Sequence, residues 1–477
     1  MDKDAIVPED LPDALTALLP AYLARQRWYA GGGRAPSEAR VVSSGLLVPP
    51  GTGSAQATHR VLWAIVEAGD ASYQLFIGER PTSEVTEHKA SADEVVIGSA
   101  GDRTFYDATS DPEMALEILG AVSGGQEEAR LARPVGAEQS NTSIVYDDRL
   151  ILKLFRRLSA GPNPDVEVTA ALAASGFTHV ALPLVRWQRG GRDLAFGQQY
   201  LAGGTDGWAL ALTSLRDYYA TSATNGPPDP AQSGGDFAAE AARLGQMTAE
   251  MHEAMAEAFE VADRALARAW SGFVEALAAQ VSLLHPSLVE GSGPLFAALR
   301  AVRDPGPAVR VHGDYHLGQV MRTDGGWYVL DFEGEPARPL EKRLQPTSVL
   351  KDVAGMLRSL QYAARFVLDE RNGEESSWLE PMVRAWEDRN RRAFLRGYYD
   401  HKGIDSLLPV APKDREAVRV AFELEKAMYE LAYEEAHRPG WARIPLAALH
   451  RLLLSPVDEL LLEGSEPPPA GPVEPDM

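Results

Sequence analysis

The chain contains no cysteine. Disulfides, zinc–thiolate centres and cysteine nucleophiles are therefore excluded. Positive charge is also scarce: 46 Lys and Arg stand against 68 Asp and Glu, for a net charge of −22. Such a chain repels phosphate backbones and anionic lipid, which argues against nucleic acid and membrane surfaces as partners. It lacks any uninterrupted apolar run of about 18 residues, the length a membrane-spanning helix needs. The acidic N-terminus has no basic segment leading into an apolar one, so no secretory signal and a cytoplasmic location are expected. No internal repeat is evident.

What is present is 477 residues, 45% of them hydrophobic. That is too much for one ordinary core and implies two or three packed units. Residues 8–27 have helical spacing, with Leu11, Leu15, Leu18, Leu19, Tyr22 and Leu23 on one stripe, stopped by Gly31-Gly32-Gly33. Strand-like runs follow at Arg40–Val48, Arg60–Glu67 and Ser72–Gly78, giving a small α+β unit over residues 1–90. Residues 91–205 mix strands and short helices. The clearest element there is a hairpin: Ser143–Tyr146, an Asp147-Asp148 turn, then Leu150–Phe155. Residues 206–462 are mostly helical, with helices expected at Phe237–Val261, Trp270–Leu284, Asp352–Leu368, Trp378–Asp400 and Arg415–His437. Two short strands, Ala308–Val311 and Trp327–Phe332, interrupt them. Residues 222–235 read as a flexible loop, and the Pro/Glu-rich tail 463–477 as disordered.

The interruption carries the chemistry. It reads Val311-His312-Gly313-Asp314-Tyr315-His316-Leu317-Gly318-Gln319 and, after a short strand, Leu330-Asp331-Phe332-Glu333. Phosphoryl transfer needs a carboxylate to accept the proton of the attacking hydroxyl, and oxygen ligands to hold magnesium on the phosphates. Asp314 and Gln319 have the spacing of the kinase catalytic-loop Asp and Asn, and Asp331 takes the Asp-Phe-Gly position. Asp314 is thus the candidate base, with Gln319, Asp331 and Glu333 as magnesium ligands. His312 reads as a prop for the loop. His316 is open between scaffold and substrate contact.

A kinase also needs a strand lysine for the α- and β-phosphates of ATP, and a helix acid to orient it. Lys153 lies in the apolar run Leu150–Phe155, and Glu167 follows at the start of a helical run. Ser140 and Asn141 sit where the phosphate-covering hairpin would be, without a glycine fingerprint. Gln198 and Tyr200 precede Gly203-Gly204, which suits either an adenine-binding hinge or a plain linker.

At this point the sequence resembles the maltokinase family of aminoglycoside-phosphotransferase-like kinases. The matching stretches are Gln26–Gly31, Leu152–Arg157, Asn163–Glu167, Val311–Gln319, Asp331–Pro336, Asp352–Ser359 and Arg438–Trp441, in order over nearly the whole chain. The resemblance implies an α+β, bilobal, protein-kinase-like fold with an extra N-terminal cap. It also implies ATP and Mg2+, with ATP bound between residues 90–205 and the helical part. The chain departs from the family at Leu360-Gln361 and at Glu435-Ala436-His437. Glu435 adds a carboxylate where an ammonium-bearing sugar would be favoured, unless these changes lie on a solvated helix face. Together with His316, Tyr433 and Trp441, Glu435 makes up the expected acceptor site.

Four activities compete. The leading one is phosphorylation of D-glucosamine to glucosamine 6-phosphate by a monomer or small homo-oligomer. The others are a maltokinase forming maltose 1-phosphate, an aminoglycoside phosphotransferase, and a non-enzymatic pseudokinase. Retention of Asp314, Gln319, Asp331, Lys153 and Glu167 argues against the last.

Overall fold

A computed structural model describes residues 6–47, 59–85, 95–135, 141–221, 228–232, 234–262, 265–284, 286–335, 338–370 and 375–460. The chain divides into two compact units, Met1–Ala173 with Ala181–Ala202, and Ala174–Val180 with Gly203–Met477. The tail 463–477 lies outside the described residues, as does much of the expected loop 222–235.

In the first unit, β1 (Ile6–Pro8), β2 (Arg40–Leu47), β3 (Arg60–Ala68), β4 (Ala71–Pro81), β5 (Val96–Ala100) and β6 (Arg103–Asp107) pair in the order β1-β2-β3-β4-β6-β5. The pairings are antiparallel. Alternate residues of β3 turn to opposite faces. Leu62, Ala64 and Val66 cluster with Leu11, Leu15, Leu19 and Tyr22. Val61 and Trp63 cluster with Met114 and Ile118 of the Pro112–Val122 helix. Because both faces are covered, β3 reads as a nearly continuous apolar run. The sheet continues past residue 90 to Asp107, because β6 adds directly to β4.

The single helix expected over residues 8–27 does not form. The chain runs through β1 into two short helices, Asp13–Thr16 and Leu19–Ala24. Pro20 lacks an N–H and clashes inside a helix, but fits the first turn of a new one. The apolar stripe survives the break, since Leu11, Leu15, Leu19, Tyr22 and Leu23 are all buried.

A five-stranded sheet completes this unit: β7 (Ala132–Pro134), β8 (Asn141–Tyr146), β9 (Leu150–Phe155), β11 (Pro183–Arg189) and β12 (Arg192–Gln199), in the order β11-β12-β9-β8-β7. The short β10 (Arg157–Leu158) pairs with β4 instead. The expected hairpin forms, with Ser143 opposite Lys153 and Tyr146 opposite Leu150. Asp147 and Asp148 turn it with φ of 50° and 49°, a left-handed conformation that Asp tolerates better than most residues.

The second unit is mainly helical. Its principal helices are Gly207–Ala220, Ala238–Ala258, Ala265–Val281, Leu350–Glu370, Glu375–Tyr399 and Pro412–His437. The interrupting strands are β13 (Thr205–Asp206), β14 (Val320–Thr323) and β15 (Gly326–Val329). Residues Ala308–Val311, expected as a strand, make only single bridges, Ala308 to Ala262 and Val309 to Thr347. The partner of β15 is β14, whose four residues Val-Met-Arg-Thr are too few and too mixed to show a strand period.

Helices Ala238–Ala258 and Glu375–Tyr399 approach closely at Gly397. A Cβ there would lie 2.0 Å from the Ala242 carbonyl oxygen. The approach brings Tyr398 to His252, whose Nδ1 is 2.8 Å from the Tyr398 hydroxyl. Gly397→Ala is expected to push the helices apart and lower stability by about 1–3 kcal/mol. Thermal unfolding followed by circular dichroism would show it, and an unchanged midpoint would mean that the contact is dispensable.

Candidate active site

One face of the Leu350–Glu370 helix holds the loop that contains Asp314. The carboxylate of Asp352, in its first turn, accepts the N–H groups of His312 at 2.8 Å and Gly313 at 2.9 Å. His252 Nε2 approaches it at 3.2 Å. Burial opposes ionisation of Asp352, but His252, His312 and the Gly313 N–H outweigh it and hold the carboxyl below its usual range. One turn on, Gly355 leaves room for the Tyr315 carbonyl, which a Cβ would meet at 2.6 Å. One turn further, Ser359 Oγ accepts the Leu317 N–H at 3.1 Å. From a second helix, Thr248 Oγ1 lies 2.8 Å from the Tyr315 hydroxyl.

The same loop is tied to the segment that carries Asp331. His312 Nε2 is 2.9 Å from the Leu330 carbonyl, and its ring packs 4.9 Å from that of Phe332. This is the prop expected of His312. The Leu330 N–H donates to the Gln319 carbonyl at 2.9 Å. Gln319 Nε2 is 3.4 Å from Asp331 Oδ2, so these two side chains meet as expected. Asp331 has φ +64°, one of three non-glycine residues with positive φ among the described residues. Strain of this kind persists where the surroundings fix it, and it is concentrated at functional sites. The Glu333 side chain is partly exposed, and its carbonyl accepts from Arg343 at 2.8 Å.

Asp314 is clamped by a residue that the sequence did not mark. Lys426 Nζ donates to Asp314 Oδ1 and to Glu335 Oε1, each at 2.9 Å. Glu335 is almost fully buried and also pairs with Arg338. Burial pushes the Asp314 carboxyl up, but Lys426, with His316 and His312, outweighs it and leaves the group below the usual carboxylate range. The other oxygen, Oδ2, faces His316 Nε2 at 3.9 Å. His316 Nδ1 accepts the Gly318 N–H at 3.0 Å. Burial lowers the His316 pKa below its usual value, and the nearby Asp314 carboxylate only partly offsets this.

Lys426 shares its helix, Pro412–His437, with two of the expected acceptor residues, Tyr433 and Glu435. Positions four apart stack along one side. Glu430 pairs with buried Arg358, with Nε at 3.1 Å. Glu434 accepts from the Tyr362 hydroxyl at 2.7 Å and from Arg438 at 2.8 Å. Trp441 stacks on Tyr362 at 6.1 Å and 29°, with Phe366 at 5.1 Å and Arg438 at 4.8 Å. Glu435 is exposed. Nine residues of about 100° each set it on the far side of the helix from Lys426. Tyr433 is 40% exposed and stacks on His437 at 4.4 Å.

In the first unit, Lys153 Nζ donates to Asp165 Oδ2 at 3.2 Å. Asp165 and the exposed Glu167 share the first turn of the Pro164–Ala174 helix, capped by Asn163 Oδ1 at 2.8 Å from the Asp165 N–H. Asn141 is buried and pairs with Phe155. Ser140 lies outside the described residues. Gln198 is in register with Ile151 within the sheet. The Tyr200 N–H is taken by the Arg149 carbonyl at 2.7 Å, and its own carbonyl by Ala202 at 3.0 Å.

Residues 131–396 match the phosphotransferase enzyme family, which covers more than half of the chain. The chain belongs to that family. Residues 22–111 of this phosphotransferase match the maltokinase N-terminal cap domain. It is 30% identical over 347 residues to a glucosamine kinase of Mycolicibacterium smegmatis, covering 70% of this chain and 82% of that one. A glucosamine kinase of Streptacidiphilus jiangxiensis is 29% identical over 365 residues, 72% and 78% of the two chains. A solved structure of a glucosamine kinase in complex with glucosamine, ADP and inorganic phosphate matches with a TM-score of 0.60 at 23% identity, over 93% of this chain and 99% of that one. The protein-kinase-like α+β fold with an N-terminal cap, expected from the sequence, is the fold of this phosphotransferase. No helix among its described residues is long and apolar enough to cross a membrane.

Lys426→Met tests the clamp. It leaves burial to act on Asp314 without the ammonium, so the Asp314 pKa rises. The acid limb of kcat against pH is expected to move to higher pH, and an unmoved limb would dissociate Lys426 from the ionisation of Asp314.

Proposed function

We propose that this phosphotransferase transfers the γ-phosphoryl group of ATP to D-glucosamine, giving D-glucosamine 6-phosphate. The observation that carries the reading is the Asp314 carboxylate, held ionised with one oxygen on Lys426 and the other open toward His316. The open oxygen accepts the proton as the sugar hydroxyl attacks. Lys426 fixes the direction of the carboxylate and returns nothing to the reaction, since its ammonium is locked between Asp314 and Glu335. Lys153, oriented by the acidic first turn of Pro164–Ala174, is the anchor for the α- and β-phosphates.

Gln319 and Asp331 suit magnesium. They offer oxygen donors on adjoining side chains. Among the described residues no group of three His, Asp or Glu forms a closed cage. Magnesium binds in this way, through few protein oxygens, with water and phosphate completing its shell. Bound there, the ion would neutralise charge on the phosphates. Glu333 is the third assigned ligand.

The acceptor reading rests on the two relatives' names and on the Lys426 side of the Pro412–His437 helix. Trp441 and Tyr362 give a pyranose a flat apolar wall, with the Arg438 guanidinium already resting over the Trp441 ring. Glu430 and Glu434 supply carboxylates beside it. A site built to hold an ammonium rejects the neutral analogue far more strongly than an apolar pocket can. Buried Glu434 and part-buried Glu430 are therefore better placed for selectivity than exposed Glu435.

ADP release would be measured with glucosamine, glucose, maltose and kanamycin. Glucosamine is expected to turn over well and glucose poorly, with phosphate found on the 6-hydroxyl by NMR. Turnover of maltose without glucosamine would overturn the choice of sugar. Asp314→Asn is expected to lower kcat by roughly 10²–10⁴-fold with ATP affinity kept. Glu430→Gln and Glu434→Gln should each raise KM for glucosamine more than Glu435→Ala does. The reverse order would return the selective role to Glu435.

A further inference from the structure

Lys153 and Arg156 are three residues apart along β9 and its continuation, so they point to opposite faces of the sheet. The pairings agree. Lys153 is opposite Ser143, whereas Arg156 Nε donates to Thr142 Oγ1 at 2.8 Å, and Thr142 is opposite Leu154. Behind the Lys153 face lies a cavity of about 330 Å³ whose walls include Arg27, Trp28, Thr109, Ser110, Thr142 and Arg156. Its size is at the small end of ligand pockets.

Arg156 is 1% exposed. Its Nη2 donates to Asp107 at 2.7 Å and to Thr109 Oγ1 at 3.0 Å. The guanidinium lies 5.4 Å from the Trp28 ring centroid. Its Nη1 is buried and has no hydrogen-bond partner. A buried charged donor left unsatisfied is destabilising, and native structures rarely keep one without a reason. Asp107 does not meet the need. Its Oδ1 accepts from Thr109 N and Oγ1, and its Oδ2 from Tyr22 and Arg156. One acid therefore balances one of the two arginines, and exposed Arg27 brings a further positive charge to the wall. In a chain of net charge −22 this is an unusual place for a cation pair. Thr142 Oγ1 accepts from Arg156, which leaves its own hydrogen to donate.

We propose that this cavity binds a small oxyanion, the phosphate or carboxylate group of a metabolite, with Arg156 Nη1, Arg27 and the Thr142 hydroxyl as its donors. Trp28 forms the flat apolar wall. The site is separate from the Lys153 face, and it touches the start of β8, so its occupant steadies that strand.

Calorimetry with the full chain would test it, using inorganic phosphate and acetate as probes, with and without saturating ADP. Phosphate, acetate or both should bind saturably with ADP present, and the stronger of the two names the group. Arg27→Glu reverses an exposed charge without touching the core. It should weaken probe binding at least tenfold and leave ADP affinity within twofold. Thr142→Val should weaken binding severalfold, with thermal unfolding as its check on folding. The proposal is overturned if neither probe binds with ADP present, if ADP displaces the probe, or if Arg27→Glu binds it as the parent does. Failure of ADP itself to bind would instead remove the kinase reading, and the comparison of parent with Arg27→Glu would still decide the anion site.

Discussion

The Asp352 carboxylate is the point on which the reactive loop depends. It is buried, it accepts two consecutive backbone N–H groups, and a histidine from another helix closes on it. Removing a partner from such a group leaves a charge or two donors stranded, which is far worse than never having buried them. These bonds hold the loop in the conformation described, and the rest follows from it. With His312 fixed, the Leu330–Phe332 segment is fixed too, and Asp331 is brought to Gln319.

Legibility in the sequence followed distance along the chain. Asp314, Gln319 and Asp331 lie within eighteen positions of one another, so their spacing alone marks them as candidates, and the fold brings Gln319 to Asp331. The Lys153 hairpin was equally readable, because turn chemistry and alternation are local. Lys426 is 112 residues from Asp314 and sits in a helix that looks merely amphipathic, so no pattern pointed to it. Asp352 lies inside a stretch that resembles the family, but a loop-holding carboxylate has no local signature of its own. Glu435 stands out by a difference from relatives, whereas helical phase sets Glu430 and Glu434 nearer than Glu435 to the Lys426 side of the helix. The break at Pro20 was written in the sequence, but the apolar stripe continuing past it hid the signal.

The chain's overall charge says little about its interior. A strongly acidic protein keeps an ammonium between two carboxylates at its candidate site. Elsewhere it buries Glu423 among Arg391, Arg419 and Arg451. Each arrangement concentrates opposite charges where water is excluded and their attraction is strongest. Surface acidity governs what the protein repels at a distance, whereas these inner pairs determine which geometry survives.

The left-handed backbone at Asp331 bears on how such a chain can drift. At φ +64° asparagine is as comfortable as aspartate. A single-base change from an aspartate to an asparagine codon would erase a charge and leave the turn intact. Asp352 and His312 would go on holding the loop, and the aromatic wall at Trp441 would be undisturbed. On the magnesium role proposed for Asp331, a folded protein that keeps the shape of the enzyme and has lost its chemistry is one mutational step away.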